Sequence, residues 1–204
     1  EKFFFFFKPE QAIPFFEQAL LMETVSPNVY NFLGLSYYQI GKYQQSLDVF
    51  LNGTTKDGTN KRILYYNAGN TAFAMGNYSI ADQYFSIAFA ADSNFSSALL
   101  NRANTKMKLD QLQNASDDYT QYLIIEPNSP QRPEIERMIA LISGELRVRE
   151  EQKLARELEE QRLKEEQARI AAEMEKMRIE QEKQAALEAE RRKKLLEDIA
   201  ASLQ

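Results

Sequence analysis

The chain has 204 residues, a net charge of −5, and no Cys, His or Trp. Thiol nucleophiles, imidazole bases, disulfides and N/S zinc sites are therefore excluded, and the acidic balance offers no basic face for duplex nucleic acid. Proteins and peptides are left as the leading partner class, with no cofactor and no metal expected, and no enzyme.

The averages hide a division. All 23 aromatic residues lie at or before Tyr122, all six prolines at or before Pro133, and Gly144 is the only glycine after Gly76. Up to Pro133 there are 10 basic and 12 acidic residues, and after it 15 and 18. Neither half has the roughly 20 apolar residues in a row that a membrane span needs. Phe3 to Phe7 is too short for one and reads as the tail of a helix, with Lys8-Pro9-Glu10 as the turn after it. The chain opens without Met inside this pattern, so a segment upstream is expected.

From Ala12 onward the sequence repeats itself. Ala12-Ile13-Pro14-Phe15-Phe16 is followed 34 residues later by Ser46-Leu47-Asp48-Val49-Phe50. After one inserted residue come Ala81 to Phe85, and 34 residues further on Ala115 to Tyr119. Gly34, Gly69 and Ala103 keep the same spacing, as do the turn segments at Gly41, Gly76 and Asp110. A small residue at the first set lets a second helix approach closely, while Phe16, Phe50, Phe85 and Tyr119 fill the gap between neighbouring repeats. The insertion is expected in the turn-rich stretch Asn52 to Asn60, lengthening the link between the first and second complete repeats.

The period, the Leu33-Gly34 and Ala68-Gly69 pairs, the helix-B small and aromatic positions, and Pro127 at the end resemble the tetratricopeptide repeat over roughly residues 1 to 130. The resemblance implies an all-α fold: a helical-hairpin solenoid of about three and a half repeats, then a capping helix continuing into a long charged helix. The expected divisions are a partial repeat at 1–26, repeats at 27–61 (with the linker), 62–94 and 95–130, and a capping helix and arm at 131–204.

The resemblance also implies a concave groove lined by the first helix of each repeat, which receives a protein or peptide. The groove positions are Asn31 and Tyr38, then Tyr66, Asn67, Asn70 and Phe73, then Asn101, Asn104 and Lys108, with Asn28, Phe32, Leu35, Ile63, Leu100 and Met107 beside them. Such a surface is rich in amides and aromatics and poor in charge. Each Asn amide can both donate and accept, which suits an extended peptide backbone. Chaperone adaptors of the family clamp a C-terminal carboxylate with two asparagines and flanking cations. Asn70 and Asn101 match those asparagines, whereas Tyr66, Gln131 and Ile135 stand where Lys or Arg is expected. A polar structural face, a general peptide groove and a carboxylate clamp are the alternatives this leaves.

The last part, 134–204, is built from strong helix formers without Pro or aromatics, so one helix roughly 105 Å long at 1.5 Å per residue is expected. Between Glu145 and Lys194 there are 14 charges of each sign. Glu145–Arg149, Glu160–Lys164, Glu165–Arg169, Glu188–Arg192 and Glu190–Lys194 have the order that favours (i,i+4) pairing. Ile135, Ile139, Ile142 and Leu146 form a stripe suited to covering the last repeat. Leu154 and Leu158, Leu163 to Met177, and Leu195 to Leu203 are fragments of a further seam, consistent either with an isolated charged helix or with a weak coiled coil in a homo- or hetero-oligomer.

The adjacent carboxylates Asp117-Asp118 and Glu150-Glu151 point about 100° apart on a helix and do not converge on a substrate. A non-enzymatic scaffold is the leading function, binding a partner in the groove and using the arm for spacing or assembly. The alternative is a co-chaperone-like module that captures a C-terminal tail. The order of parts resembles bacterial envelope proteins, including spirochaete repeat proteins of periplasmic flagellar assemblies. That resemblance implies a periplasmic or envelope setting, with the cytoplasm as the alternative.

Overall fold

The computed structural model describes residues 8–22 and 25–202. Phe3 to Phe7 lies outside them. All regular elements among the described residues are helices: α1 (Pro9–Ala19), α2 (Asn28–Gln39), α3 (Tyr43–Thr54), α4 (Lys61–Ala74), α5 (Tyr78–Ala91), α6 (Ser96–Lys108), α7 (Leu112–Ile125) and α8 (Arg132–Ser202). The chain divides into two compact units, Glu1–Leu146 and Arg147–Gln204.

In the first unit α2 with α3, α4 with α5, and α6 with α7 form three antiparallel hairpins. Their turns share one hydrogen-bond plan. The N–H groups of Lys42, Asn77 and Gln111 donate to the carbonyls of Tyr37, Ala72 and Lys106, five residues back, at 2.9 Å in each case. This closure needs a left-handed residue just before the donor. Gly41 (φ 75°) and Gly76 (φ 77°) supply it twice, and Asp110 (φ 57°), of a type that tolerates this conformation, supplies it in the third.

Each hairpin closes on its small residue. A Cβ added to Gly34 would stand 2.4 Å from the Phe50 ring, and one on Gly69 2.6 Å from the Phe85 ring. Both rings are fully buried. The aromatic therefore lies over the glycine of its own hairpin, so its first role is within a repeat. A hydroxyl two residues further along is buried each time. Ser36, Thr71 and Thr105 donate back to the carbonyls of Phe32, Asn67 and Asn101 at 2.8, 2.8 and 2.7 Å, which leaves no buried O–H without an acceptor.

The core is a chain of clusters, as expected of a solenoid whose units bury their apolar faces on their neighbours. Ile13, Leu33 and Tyr37 form one; Tyr30, Leu47, Phe50, Leu64 and Ala68 the next; Ala72, Ala81 and Phe85 a third. The last gathers Leu99, Ala103, Tyr119 and Tyr122 with Ile135 and Ile142 from the start of α8, and Ile139 and Leu146 pack at its edge. The stripe at 135–146 thus covers the apolar side of α6 and α7.

Two local expectations change. Lys8-Pro9-Glu10 is a helix start rather than a turn, since α1 begins at Pro9, where the missing N–H costs nothing. The insertion is also shorter as a loop than composition suggests, because Asn52, Gly53 and Thr54 complete α3. Gly53 is held there by Tyr30 and Leu64, whose atoms would stand 2.7 and 2.9 Å from an added Cβ, so tertiary packing overrides the turn signal.

The second unit is the helical stretch from Arg147. Arg178 pairs with both Glu175 and Glu182 at 2.7 Å. Arg169 pairs with Glu166, three residues back, and Arg162 with Glu159. Arg147–Glu151, Lys153–Glu157 and Lys193–Glu197 place the cation first. These are solvent-exposed pairs, screened by water and salt and of little weight singly. Leu163, Ile170, Met174 and Met177 are about half exposed or more, at 54, 48, 66 and 59%.

Candidate peptide groove

α2, α4 and α6 are the first helices of the three hairpins, and each touches the next. Their exposed faces carry the amides expected from the repeat pattern, and the structure joins several of them across the helices. The Asn67 amide donates to Asn31 Oδ1 at 2.8 Å. The Asn101 amide donates to Asn70 Oδ1 at 2.8 Å and to the Tyr66 hydroxyl at 3.2 Å. The Tyr119 hydroxyl donates to Asn104 Oδ1 at 2.6 Å. An Asn amide has more donors and acceptors than one such bond uses, so the ladder keeps capacity for a peptide backbone.

Aromatic contacts fix the walls. The Tyr66 ring packs edge-on to Phe95 at 5.0 Å and tilted against Phe85 at 5.9 Å. Phe73 meets Tyr78 at 5.1 Å and Tyr38 meets Tyr43 at 5.4 Å, so these groove aromatics are braced by the second helix of their own hairpin. Lys108 is exposed at the end of α6 and stands apart from the ladder.

Three cavities lie along these helices. One of about 120 Å³ is bounded by Tyr38, Asn70, Phe73, Phe85, Asn101 and Asn104. A second, of about 170 Å³, lies at the start of α2 and α4 and includes Asn28, Asn31, Asn60 and Ile63. The third, also about 170 Å³, adjoins the first at Asn104 and includes Leu100, Tyr119, Gln131, Glu134 and Met138. Leu100 and Asn104 are expected groove positions and Gln131 and Ile135 stand at the expected cation places, whereas Glu134 and Met138 were not expected in this wall. The 34-residue period extended once more would have found them, since Leu100 and Asn104 project onto Glu134 and Met138. The first turns of α8 thus occupy the place of a fourth first helix.

Three cations of α4 and α6 are engaged elsewhere. Arg102 and Lys106 of α6 both bind the buried Asp118 of α7, at 2.7 Å each. Arg62 pairs with Asp92 and lies 4.8 Å over the Phe95 ring. Asp117 is exposed and accepts from Gln113 at 2.9 Å, so Asp117 and Asp118 serve separate structural bonds.

Burial pushes the Tyr119 phenol up to about 12. Tyr37 is pushed to about 12 by burial and then by its hydrogen bond to Glu17. An unfolded tyrosine ionises near pH 10, so the unfolded chain loses these protons first. Their contribution to stability is complete below pH 10 and is lost as pH rises towards about 12. Replacing Tyr119 by Phe should therefore reduce the fall in the urea midpoint between about pH 9 and pH 11, although the loss of the bond to Asn104 lowers the midpoint throughout.

Among the described residues no helix is long and apolar enough to cross a membrane. No family model matches the chain. Human RNA polymerase II-associated protein 3 is 27% identical over 96 residues, which are 47% of this chain and 14% of that protein. The chain thus spans about one-seventh of the curated relatives it matches. The first tetratricopeptide domain of Spaghetti bound to the HSP90 peptide SRMEEVD superimposes with a TM-score of 0.53 and 26% identity, covering 59% of this chain and 92% of that one. MamA shares the fold at a TM-score of 0.61 and 18% identity, over 70% of this chain and 81% of its own. The hairpin geometry, the glycine–aromatic closures and these structural likenesses agree: the chain is a tetratricopeptide-repeat protein.

Proposed function

We infer that the chain is a non-enzymatic adaptor that captures an extended tail of a partner protein in the groove between α2, α4 and α6. The observation that carries this reading is the Asn70–Asn101–Tyr66 bond set at the wall of an open cavity, where polar groups are placed by the fold and keep hydrogen-bonding capacity. The Spaghetti domain, solved with a bound HSP90 peptide, supports tail capture over a purely spacing role. The named relatives that match in sequence are vertebrate, so the envelope setting expected from the order of parts gains no support from them.

Changing Asn70 and Asn101 together to Ala should weaken capture of a groove partner about tenfold, the effect of losing 1.4 kcal/mol of net hydrogen bonding. Pull-down of partners by the intact chain reads this, with circular dichroism confirming unchanged helicity. An undiminished partner set would count against the groove as the binding site.

Assembly through the arm is a second reading, favoured by the exposed apolar residues Leu163, Ile170, Met174 and Met177. Light scattering on the intact chain should then give a mass above one protomer. Replacing these four residues by Gln should return it to one, and a monomeric mass for the unaltered chain would discard the reading.

A further inference from the structure

The walls of the two adjoining cavities are unusual in their charge. The residues that bound them include no cation and one carboxylate, Glu134. The cations that α6 could turn towards a ligand are held on Asp118, which takes Arg102 through both carboxylate oxygens and Lys106 through one. Lys108 borders none of the three cavities. An acidic tail such as SRMEEVD has one Arg but would also bring two Glu, one Asp and a terminal carboxylate to amides, phenols and Glu134. Charge-assisted bonds, the strong kind, would be missing, and Glu134 would repel.

We propose that this groove selects a tail with a Lys or Arg side chain reaching Glu134 and uncharged side chains elsewhere, and disfavours acidic tails. Three features are complementary to such a ligand. The Asn70–Asn101 pair offers amides to the peptide backbone, and Tyr38 and Phe73, which bound the same cavity, offer ring surface to apolar or amide side chains. Glu134 is exposed at the first turn of α8, beside Gln131, where it can meet a cation without being buried first. The inference rests on the peptide-capture reading and adds the chemistry of the tail.

Calorimetric titration of the intact chain with three synthetic peptides, each with Gln in place of the Arg of SRMEEVD, tests it: the acidic SQMEEVD, the neutral SQMQQVN and the cationic SQMKQVN. The cationic peptide should bind tightest and the acidic one about tenfold or more weaker than it. Glu134→Gln should remove the gap between the cationic and neutral peptides. Glu134→Lys combined with Gln131→Lys should raise the affinity for SQMEEVD above that for SQMKQVN, with circular dichroism confirming the fold of each variant. Binding of SQMEEVD as tight as or tighter than the other two overturns the inference and leaves peptide capture standing. Failure of all three peptides to bind overturns both.

Discussion

Replacing Gly69 by Ala is expected to destabilise the repeats by about 1–3 kcal/mol, although Ala is the better helix former by roughly 1 kcal/mol. The added Cβ would stand 2.6 Å from the Phe85 ring, which is 1% exposed. Phe85→Ala should cost more, about 3–5 kcal/mol, because it removes a large buried side chain and leaves a cavity between α4 and α5. The informative variant carries both changes. With the ring gone the Cβ at position 69 meets no obstacle, so Gly69→Ala should turn neutral or stabilising in the Phe85→Ala background. Urea denaturation of the four chains measures this as a coupling of roughly 1–3 kcal/mol. Additive effects would mean that the close approach of ring and glycine does not hold the hairpin. Gly34 and Phe50 should behave in the same way.

Asp118→Ala is the second large effect, about 3–5 kcal/mol of lost stability. Asp118 is 5% exposed and is the shared partner of Arg102 and Lys106, whose own side chains are 17 and 14% exposed. Truncating it strands two cations in a site from which water is largely excluded, and Arg102 would keep only its contact over the Phe89 ring and its bond to Ser86. Asp117→Ala, one residue away on the exposed face, should change stability by no more than about 0.5 kcal/mol. Exchanging the whole triad for apolar residues of similar volume should recover most of the loss, since the cost lies in the unpaired charges. Chemical denaturation of these variants separates the outcomes, and equal effects for Asp117 and Asp118 would contradict the assignment of Asp118 as the hub.

These two sites differ in how far the sequence shows them. The members of the glycine–aromatic pairs could be read directly, because Gly34 and Gly69 recur at the repeat spacing and Phe50 and Phe85 recur with them. Their partnership within one hairpin could not be read, since the spacing alone left the aromatics to the gap between repeats. A period exposes whatever every repeat needs. The buried hydroxyls of Ser36, Thr71 and Thr105 obey the same spacing and were legible in principle, two positions after each small residue. Asp118, Arg102 and Lys106 occur in one hairpin alone, so no period marks them. In the sequence, Asp118 looks like half of an ordinary surface carboxylate pair.

The groove was legible in part. Asn70 and Asn101 follow from the register, and the structure joins them, while Asn31 with Asn67 and Asn104 with Tyr119 form separate bonds of the same face. Lys108 shares the register but stands outside the cavities, because it closes α6. Glu134 was missed because the stripe Ile135 to Leu146 reads only as a cap on the last repeat, whereas the first turns of α8 also stand one period beyond Leu100 and Asn104. The turn signal at Asn52 to Asn60 misled for a related reason. Local propensity at Gly53 is weaker than the packing of Tyr30 and Leu64 against it.

Peptide capture on the amide ladder of α2, α4 and α6 is read most directly from the side-chain amide resonances of asparagine, in a nuclear magnetic resonance titration of the intact chain with SQMKQVN. Shifts are expected at Asn70, Asn101 and Asn104 that saturate together with one affinity, and none at Asn114, which is exposed on the second helix of the third hairpin. Saturable shifts confined to α5, α7 or the arm, with those three asparagines unmoved, would contradict it.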